Sequence, residues 1–275
     1  MEEPVKDEGD SKSLVFLFWN GGNLMIVLLV FLIVCLGLFL YMFKQAFENH
    51  VLQHELQLSG NDEQVTLFFI SDVHARKINS AMIKNINKKI DAVIIGGDFA
   101  DKRTPLHRIK QNLELLKTLG PVFFVWGNND REVGEGTLRK IFEEHGVQVI
   151  ENDAVLIPHV NNRCWLSAVD DTSSRNVRIY DALKKCSNEE LIVFISHNPE
   201  LFGKVKHNEN IKLKLGGHFH GGQIRFGPFG MHQPGFFKVE KGVATLISNG
   251  YGTTMVPLRF GAKPQCHIID LNIMK

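Results

Sequence analysis

Val65-Thr66-Leu67-Phe68-Phe69-Ile70 is followed at once by Ser71-Asp72-Val73-His74. An apolar run of this length, rich in Val, Ile and Phe and closed by polar turn-forming residues, reads as a buried strand. The same arrangement recurs four more times. Ala92–Ile95 runs into Gly96-Gly97-Asp98, and Val122–Trp126 into Gly127-Asn128-Asn129-Asp130. Leu191–Ile195 leads into Ser196-His197-Asn198-Pro199, and Ile211–Leu215 into Gly216-Gly217-His218-Phe219-His220. Loops at strand ends are where an α/β scaffold holds functional groups. Asp72, His74, Asp98, Asn128, His197, His218 and His220, brought together at such loops, make a metal site.

Between these strands lie helical patterns. Ile78, Met82, Ile83, Ile86 and Ile90 fall on one face, with Asn79 or Ser80 as cap. A second helix starts near Thr104-Pro105, turns Leu106, Ile109, Leu113 and Leu116 inward, and stops at Gly120-Pro121. Others are expected over about Thr137–His145 and Val177–Cys186. Val51–Leu58 reads as a first, partly exposed strand, and Val147–Ile150, Ala154–Ile157, Cys164–Val169, Ala244–Ser248 and Cys266–Leu271 as later ones. Helices between early strands imply crossovers, and late strands in succession imply antiparallel pairing. The sum is an α/β fold, a two-sheet β-sandwich flanked by helices. Gly216–Gly235 carries seven glycines around His218 and His220, so its backbone can turn tightly beside the cluster.

Ahead of this domain, Leu24–Phe43 has no charge and is broken only by Gly37. Its twenty or so residues match roughly 30 Å of hydrocarbon. The tail before it is acidic and no small-x-small cleavage site follows, so it reads as one uncleaved transmembrane helix. The expected organisation is a tail over 1–23, the membrane helix over 24–43, a linker and first strand over 44–64, and the catalytic domain over 65–275. Lys6 and Lys12 before the span, against Lys44 after it, favour a cytoplasmic N-terminus and an extracytoplasmic domain.

The net charge of +1, from 31 Lys+Arg and 30 Asp+Glu, leaves no basic footprint, so no nucleic-acid partner is expected. Cys35, Cys164, Cys186 and Cys266 form no CxxC pair and read as free thiols.

The ordered pattern Asp-x-His, Gly-Asp, Gly-Asn-x-Asp, a lone His and Gly-His-x-His resembles the calcineurin-like metallophosphoesterase family from about Val65 to His220. Trp126–Asp130, Gly217–Gln223 and Ser248-Asn249-Gly250-Tyr251-Gly252 are similar to its membrane-anchored bacterial members. The resemblance implies a first metal held by Asp72, His74, Asp98 and His220, and a second by Asp98, Asn128, His197 and His218, with Asp98 bridging. It implies hydrolysis of a phosphate ester or pyrophosphate by a metal-bridging hydroxide. Mixed oxygen and imidazole ligation suits two ions of manganese, iron or zinc better than Mg²⁺ or Ca²⁺. The lack of cysteine ligands argues against structural zinc.

One position departs from the family pattern. Many members have His after the ligand Asn, where it protonates the leaving oxygen; here it is Asn129. An amide can orient a phosphate oxygen but supplies no proton at pH 7. Arg76 and Arg131, just beyond the first and third ligand loops, are candidates to clamp a phosphate, with an ordinary surface charge the more common role for each, while Asp130 reads as a loop brace and Asp170-Asp171 as a polar turn. An anchor holds the site near the bilayer and favours a lipid-linked or envelope phosphate ester, with a nucleotide or phosphoprotein as alternatives. Two rival readings share the fold: a catalytically silent metal-binding interaction protein, and a metal-dependent nuclease.

Overall fold

The computed structural model describes residues 9–59, 62–160, 164–186, 191–205 and 210–274; the start of the N-terminal tail lies outside them. The chain divides into two compact units, residues 1–44 and 45–275. Residues 9–44 of the first belong to helix α1 (Gly9–Ala46). Its segment Asn23–Ala46, 24 residues, is long and apolar enough to cross a membrane. The apolar side chains from Leu24 to Val34 are all exposed.

Among the described residues, the second unit has fourteen strands and four α-helices. In chain order these are β1 (His50–Ser59), β2 (Glu63–Ile70), α2 (Ser80–Lys84), β3 (Ala92–Gly96), α3 (Leu106–Lys117), β4 (Val122–Val125), α4 (Glu135–Glu144), β5 (Gln148–Val149), β6 (Asp153–Leu156), β7 (Cys164–Ala168), α5 (Ile179–Leu183), β8 (Leu191–Ile195), β9 (Ile211–Gly216), β10 (Arg225–Phe226), β11 (Phe229–Gly230), β12 (Phe236–Glu240), β13 (Val243–Ile247) and β14 (Gln265–Met274). One six-stranded sheet runs β1-β14-β2-β3-β4-β5 and the other β12-β13-β9-β8-β7-β6; β10 and β11 form a separate hairpin.

The strands read as unbroken apolar runs because both faces of each sheet are covered. On β2, Leu67 and Phe69 face the core between the sheets, against Val193, Leu213 and Leu246 among others. Phe68 and Ile70 point the other way, into a layer closed by Ile83 of α2, Leu113 of α3 and Phe142 of α4. Ile192 and Phe194 do the same on the outer face of the second sheet, under Ala182 and Leu201.

Some elements depart from the sequence reading. α2 is a single short turn, capped by Asn79 Oδ1 accepting from Met82 N at 3.0 Å and closed at Asn85. The Asn85-Ile86-Asn87 stretch is a poor helix former, so Ile86 and Ile90 pack from irregular chain. Leu106, expected inward, is exposed in the first turn of α3. Antiparallel succession holds for β12 and β13, but β13 joins β9 in parallel. β14 returns to the first sheet, antiparallel to β2 and parallel to β1. β1 is thus an edge strand of the first sheet.

β2, β3 and β4 run parallel, as do β7, β8, β9 and β13. Their C-terminal ends therefore share a rim in each sheet, and the loops leaving those rims carry the candidate ligands.

Candidate metal centre

All seven candidate ligands meet. Asp72, His74 and His220 form one buried group, and Asp72, Asp98 and His197 a second, with the donor atoms of each group within 4.8 Å of one another. His220 Nε2 lies 3.2 Å from His74 Nε2 and 3.3 Å from Asp72 Oδ1. His197 Nε2 is 3.4 Å from Asp98 Oδ2 and 3.2 Å from Asn128 Oδ1. His218 Nδ1 approaches the same Asn128 oxygen at 2.9 Å.

The backbone is bent to achieve this. Asp72, His74, Asp98, His218 and His220 all have φ between 50° and 72°, the left-handed region. Each such residue costs on the order of 1–3 kcal/mol and persists only where its surroundings fix it. Here the loops are stitched to one another: Asp72 N donates to Gly97 O at 2.9 Å and His74 N to Asp98 O at 3.0 Å. His218 N donates to both Asp72 carboxylate oxygens, at 3.0 and 3.2 Å. Gly127 and Gly217 allow the closest approaches, since a Cβ on either would collide with the carboxylate of Asp98 or Asp72.

Further residues orient the ligands. His197 Nδ1 is 2.9 Å from Gly96 O, and His74 Nδ1 is 3.2 Å from Asp101 Oδ2. A proton on His197 Nδ1 faces Gly96 O, which turns its Nε2 lone pair into the cluster, and His74 Nδ1 stands against the Asp101 carboxylate. Asp98 Oδ1 accepts from Asn129 N at 2.8 Å and Oδ2 from Asn129 Nδ2 at 2.6 Å. Asp130 is a brace, accepting from the backbone N–H groups of Asp98, Gly127 and Ala100.

Burial weighs against charge on His74 and His197, but carboxylates outweigh it. Asp101, Asp98 and Asp72 raise His74, and Asp98 holds His197 well above the ordinary imidazole value. The same contacts pull the Asp98 carboxyl below the usual carboxylate range in spite of its burial. Burial, with His74 and Arg259 nearby, pushes His220 down to about 3, and burial with His197 lowers His218. Carboxylate, amide and imidazole donors converging in a buried space fit divalent cations.

Other sequence candidates lie elsewhere. Arg76 is buried; its guanidinium donates to Tyr251 O, to Glu48 O at 2.7 Å and to Asn49 Oδ1 at 3.0 Å. It also lies 3.9 Å over the Tyr251 ring. With these acceptors taken, it ties Glu48 and Asn49 to the Tyr251 loop and is not a free phosphate clamp. Arg131 pairs with Asp170 at 2.9 Å and Glu135 at 2.9 Å, and Asp171 caps a turn at Ser173 N, 2.8 Å away.

Two contributors carried no sequence signal. Asp101 looks like any turn aspartate. Arg259 lies in Val256-Pro257-Leu258-Arg259-Phe260, yet its side chain is fully buried. It donates to the carbonyls of Asn249 (2.7 Å), Ala262 (2.9 Å), Gly252 (2.6 Å) and His220 (3.3 Å). It thereby fastens the loop after β13 to the loop after β9.

This ligand set on a two-sheet α/β frame defines a class, and the comparisons agree with it. Residues 65–220 match the calcineurin-like phosphoesterase superfamily domain, and the chain belongs to that superfamily. Among relatives, it is 40% identical over 234 residues to the uncharacterized protein YpbG of Bacillus subtilis, covering 84% of this chain and 90% of that one. It is 26% identical to the uncharacterized metallophosphoesterase YkoQ of the same organism, over 74% of this chain and 82% of that one. It is 27% identical to the phosphodiesterase YaeI of Escherichia coli, over 64% of this chain and 68% of that one.

Proposed function

We propose that this protein is a membrane-anchored phosphoesterase that works with two divalent cations, of manganese, iron or zinc. The observation that carries the reading is the convergence of seven donor side chains from five strand ends, with imidazole lone pairs turned inward. Asp72, His74, Asp98 and His220 would hold one ion and Asp98, Asn128, His197 and His218 the other. Bound there, the ions would supply Lewis acidity, acidifying a water and offsetting charge on the phosphate oxygens. Asp98 Oδ2, 3.4 Å from His197 Nε2 and 3.8 Å from His74 Nε2, faces both halves of the cluster and suits the bridging role.

In the reaction a water oxygen bonds to phosphorus as the P–O bond to the leaving group breaks. The leaving oxygen then needs a proton or must be stable without one. Asn129 can donate an amide hydrogen bond to a phosphate oxygen but cannot give up a proton. Pyrophosphates and activated esters should therefore react faster than simple alkyl monoesters, and Asn129→His should raise the rate on the latter. A rank order independent of the leaving group would count against this.

The test of the reading itself is turnover of bis(p-nitrophenyl) phosphate and p-nitrophenyl phosphate with Mn²⁺, with Zn²⁺ and with chelator. Metal-dependent hydrolysis supports the enzyme. A folded, metal-loaded protein inert on every ester supports the silent binding protein instead.

Anchoring rests on the apolar stretch Asn23–Ala46. The distribution of Lys6, Lys12 and Lys44 favours an extracytoplasmic catalytic unit. Protease added to intact cells should then cleave within residues 45–275; full protection would reverse the assignment.

A further inference from the structure

A cavity of about 340 Å³ opens directly beside the ligand cluster. His218 and His220 form one wall, while Ile224, Met231, Met255 and Val256 form the others. Its volume falls within the range of roughly 300–1,000 Å³ typical of small-molecule sites.

Two polar side chains, both shielded from solvent, build these apolar walls. Arg225 is 5% exposed and binds its own hairpin together from inside. It donates to Gly221 O and His232 O at 2.9 Å, and to Gly227 O and Pro228 O at 3.0 Å. Gln223 holds the opposite wall, accepting from Thr254 N at 2.9 Å and donating to Thr254 O at 3.1 Å and Val256 O at 3.2 Å. The framework is thus fixed by satisfied hydrogen bonds.

What it displays is apolar. Of its lining, Met231 is 87% exposed and Met255 84%. Large apolar side chains grouped at one place on a surface mark a binding site, whereas scattered ones do not. Methionines suit flexible apolar ligands, because an unbranched thioether chain repacks around different shapes.

We propose that the cavity takes the alkyl chain of a lipid phosphate ester whose phosphate sits at the metal centre. The assignment rests on the phosphoesterase reading above and adds the substrate class. A phosphate held near His218 and His220 leaves its ester substituent at the cavity mouth, since the same two residues line both spaces. The Met231 and Met255 side chains then cover the chain.

The test uses the full chain in lipid nanodiscs with Mn²⁺ and a series of alkyl p-nitrophenyl phosphates, from methyl to octyl. Each turnover exchanges the P–O bond to p-nitrophenolate for one to water oxygen, so the leaving group is constant along the series. The expected kcat/KM rises by up to about fourfold per buried methylene until the cavity is filled. Met231→Gln combined with Met255→Gln should flatten that rise and lower the octyl value by about tenfold or more. Both positions are exposed enough for the double variant to fold. A flat series in the wild-type protein, with metal-dependent turnover intact, overturns the cavity assignment and leaves the phosphoesterase standing. A rise that survives in the double variant also overturns it, since partition of the ester into the disc lipids then explains the trend. If no ester turns over, the phosphoesterase reading fails, and calorimetric binding of hexyl against methyl phosphate to the Mn²⁺-loaded protein decides the cavity alone. Tighter binding of hexyl phosphate, lost in the double variant, upholds the apolar site; equal binding overturns it.

Discussion

Asp98→Ala is expected to abolish metal binding and turnover together. Asp98 contacts both halves of the ligand cluster and is held by two hydrogen bonds from Asn129. Its removal takes one donor from each proposed ion. Deleting one group that offsets transition-state charge commonly costs about 10²–10³-fold. Loss of a shared ligand should reach at least the upper end of that range. Metal analysis of the purified variant should find less than one equivalent. Heating curves supply a second readout: a ligand at about a hundred times its Kd stabilises a fold by about 2.7 kcal/mol. Mn²⁺ should therefore raise the melting temperature of the wild type and leave that of Asp98→Ala unmoved. Full activity or full metal content in the variant would defeat the dinuclear assignment.

Arg259→Met is expected to cause the largest loss of stability of any single change away from the ligands. The side chain is fully buried and bonds to carbonyls in two separate loops. Burial weighs against its charge while Asp72 favours it. Methionine fills much of the volume but satisfies none of the carbonyls, and each buried acceptor left unpaired costs roughly 1–3 kcal/mol. The total should come to about 3–5 kcal/mol, the size seen when a buried charged network is broken. In a unit of this size that corresponds to a melting temperature lower by roughly 10 °C. Metal affinity should fall as well, because His220 O and the Gly250 loop lose their common tie. Arg259→Lys should recover part of the stability, having three donors but no planar fork. An unchanged melting point for the methionine variant would show that the loops hold without it.

The strands and their ligands were legible for one physical reason. Strands covered on both faces must be apolar throughout, so each ends visibly where polar residues begin, and those residues are the candidate ligands. Asp72 and His74 follow Ile70 within four positions, and every other ligand loop is as short. What could not be read depends on partners far away in sequence. Arg76 is occupied because Tyr251 O lies against it, 175 residues later. Asp101 matters because His74 turns toward it, and Arg259 because two distant loops bring their carbonyls to one place. Sheet order has the same character: no local pattern in Gln265–Met274 indicates that this strand belongs between β1 and β2.

That insertion has a consequence for how the chain is made. β14 follows every other strand in sequence order, yet it separates β1 from β2. During synthesis, β1 has no neighbour, and β2 lacks one of its two, until residues 265–274 have emerged. Each therefore waits with unpaired backbone groups, the condition that invites wrong pairing with other chains. The unit cannot finish folding from its N-terminal end as it is produced. Closure of the first sheet comes last and joins segments about two hundred residues apart, which makes for slow folding. A ribosome-stalled chain ending before Gln265 should remain protease-sensitive across β1 and β2.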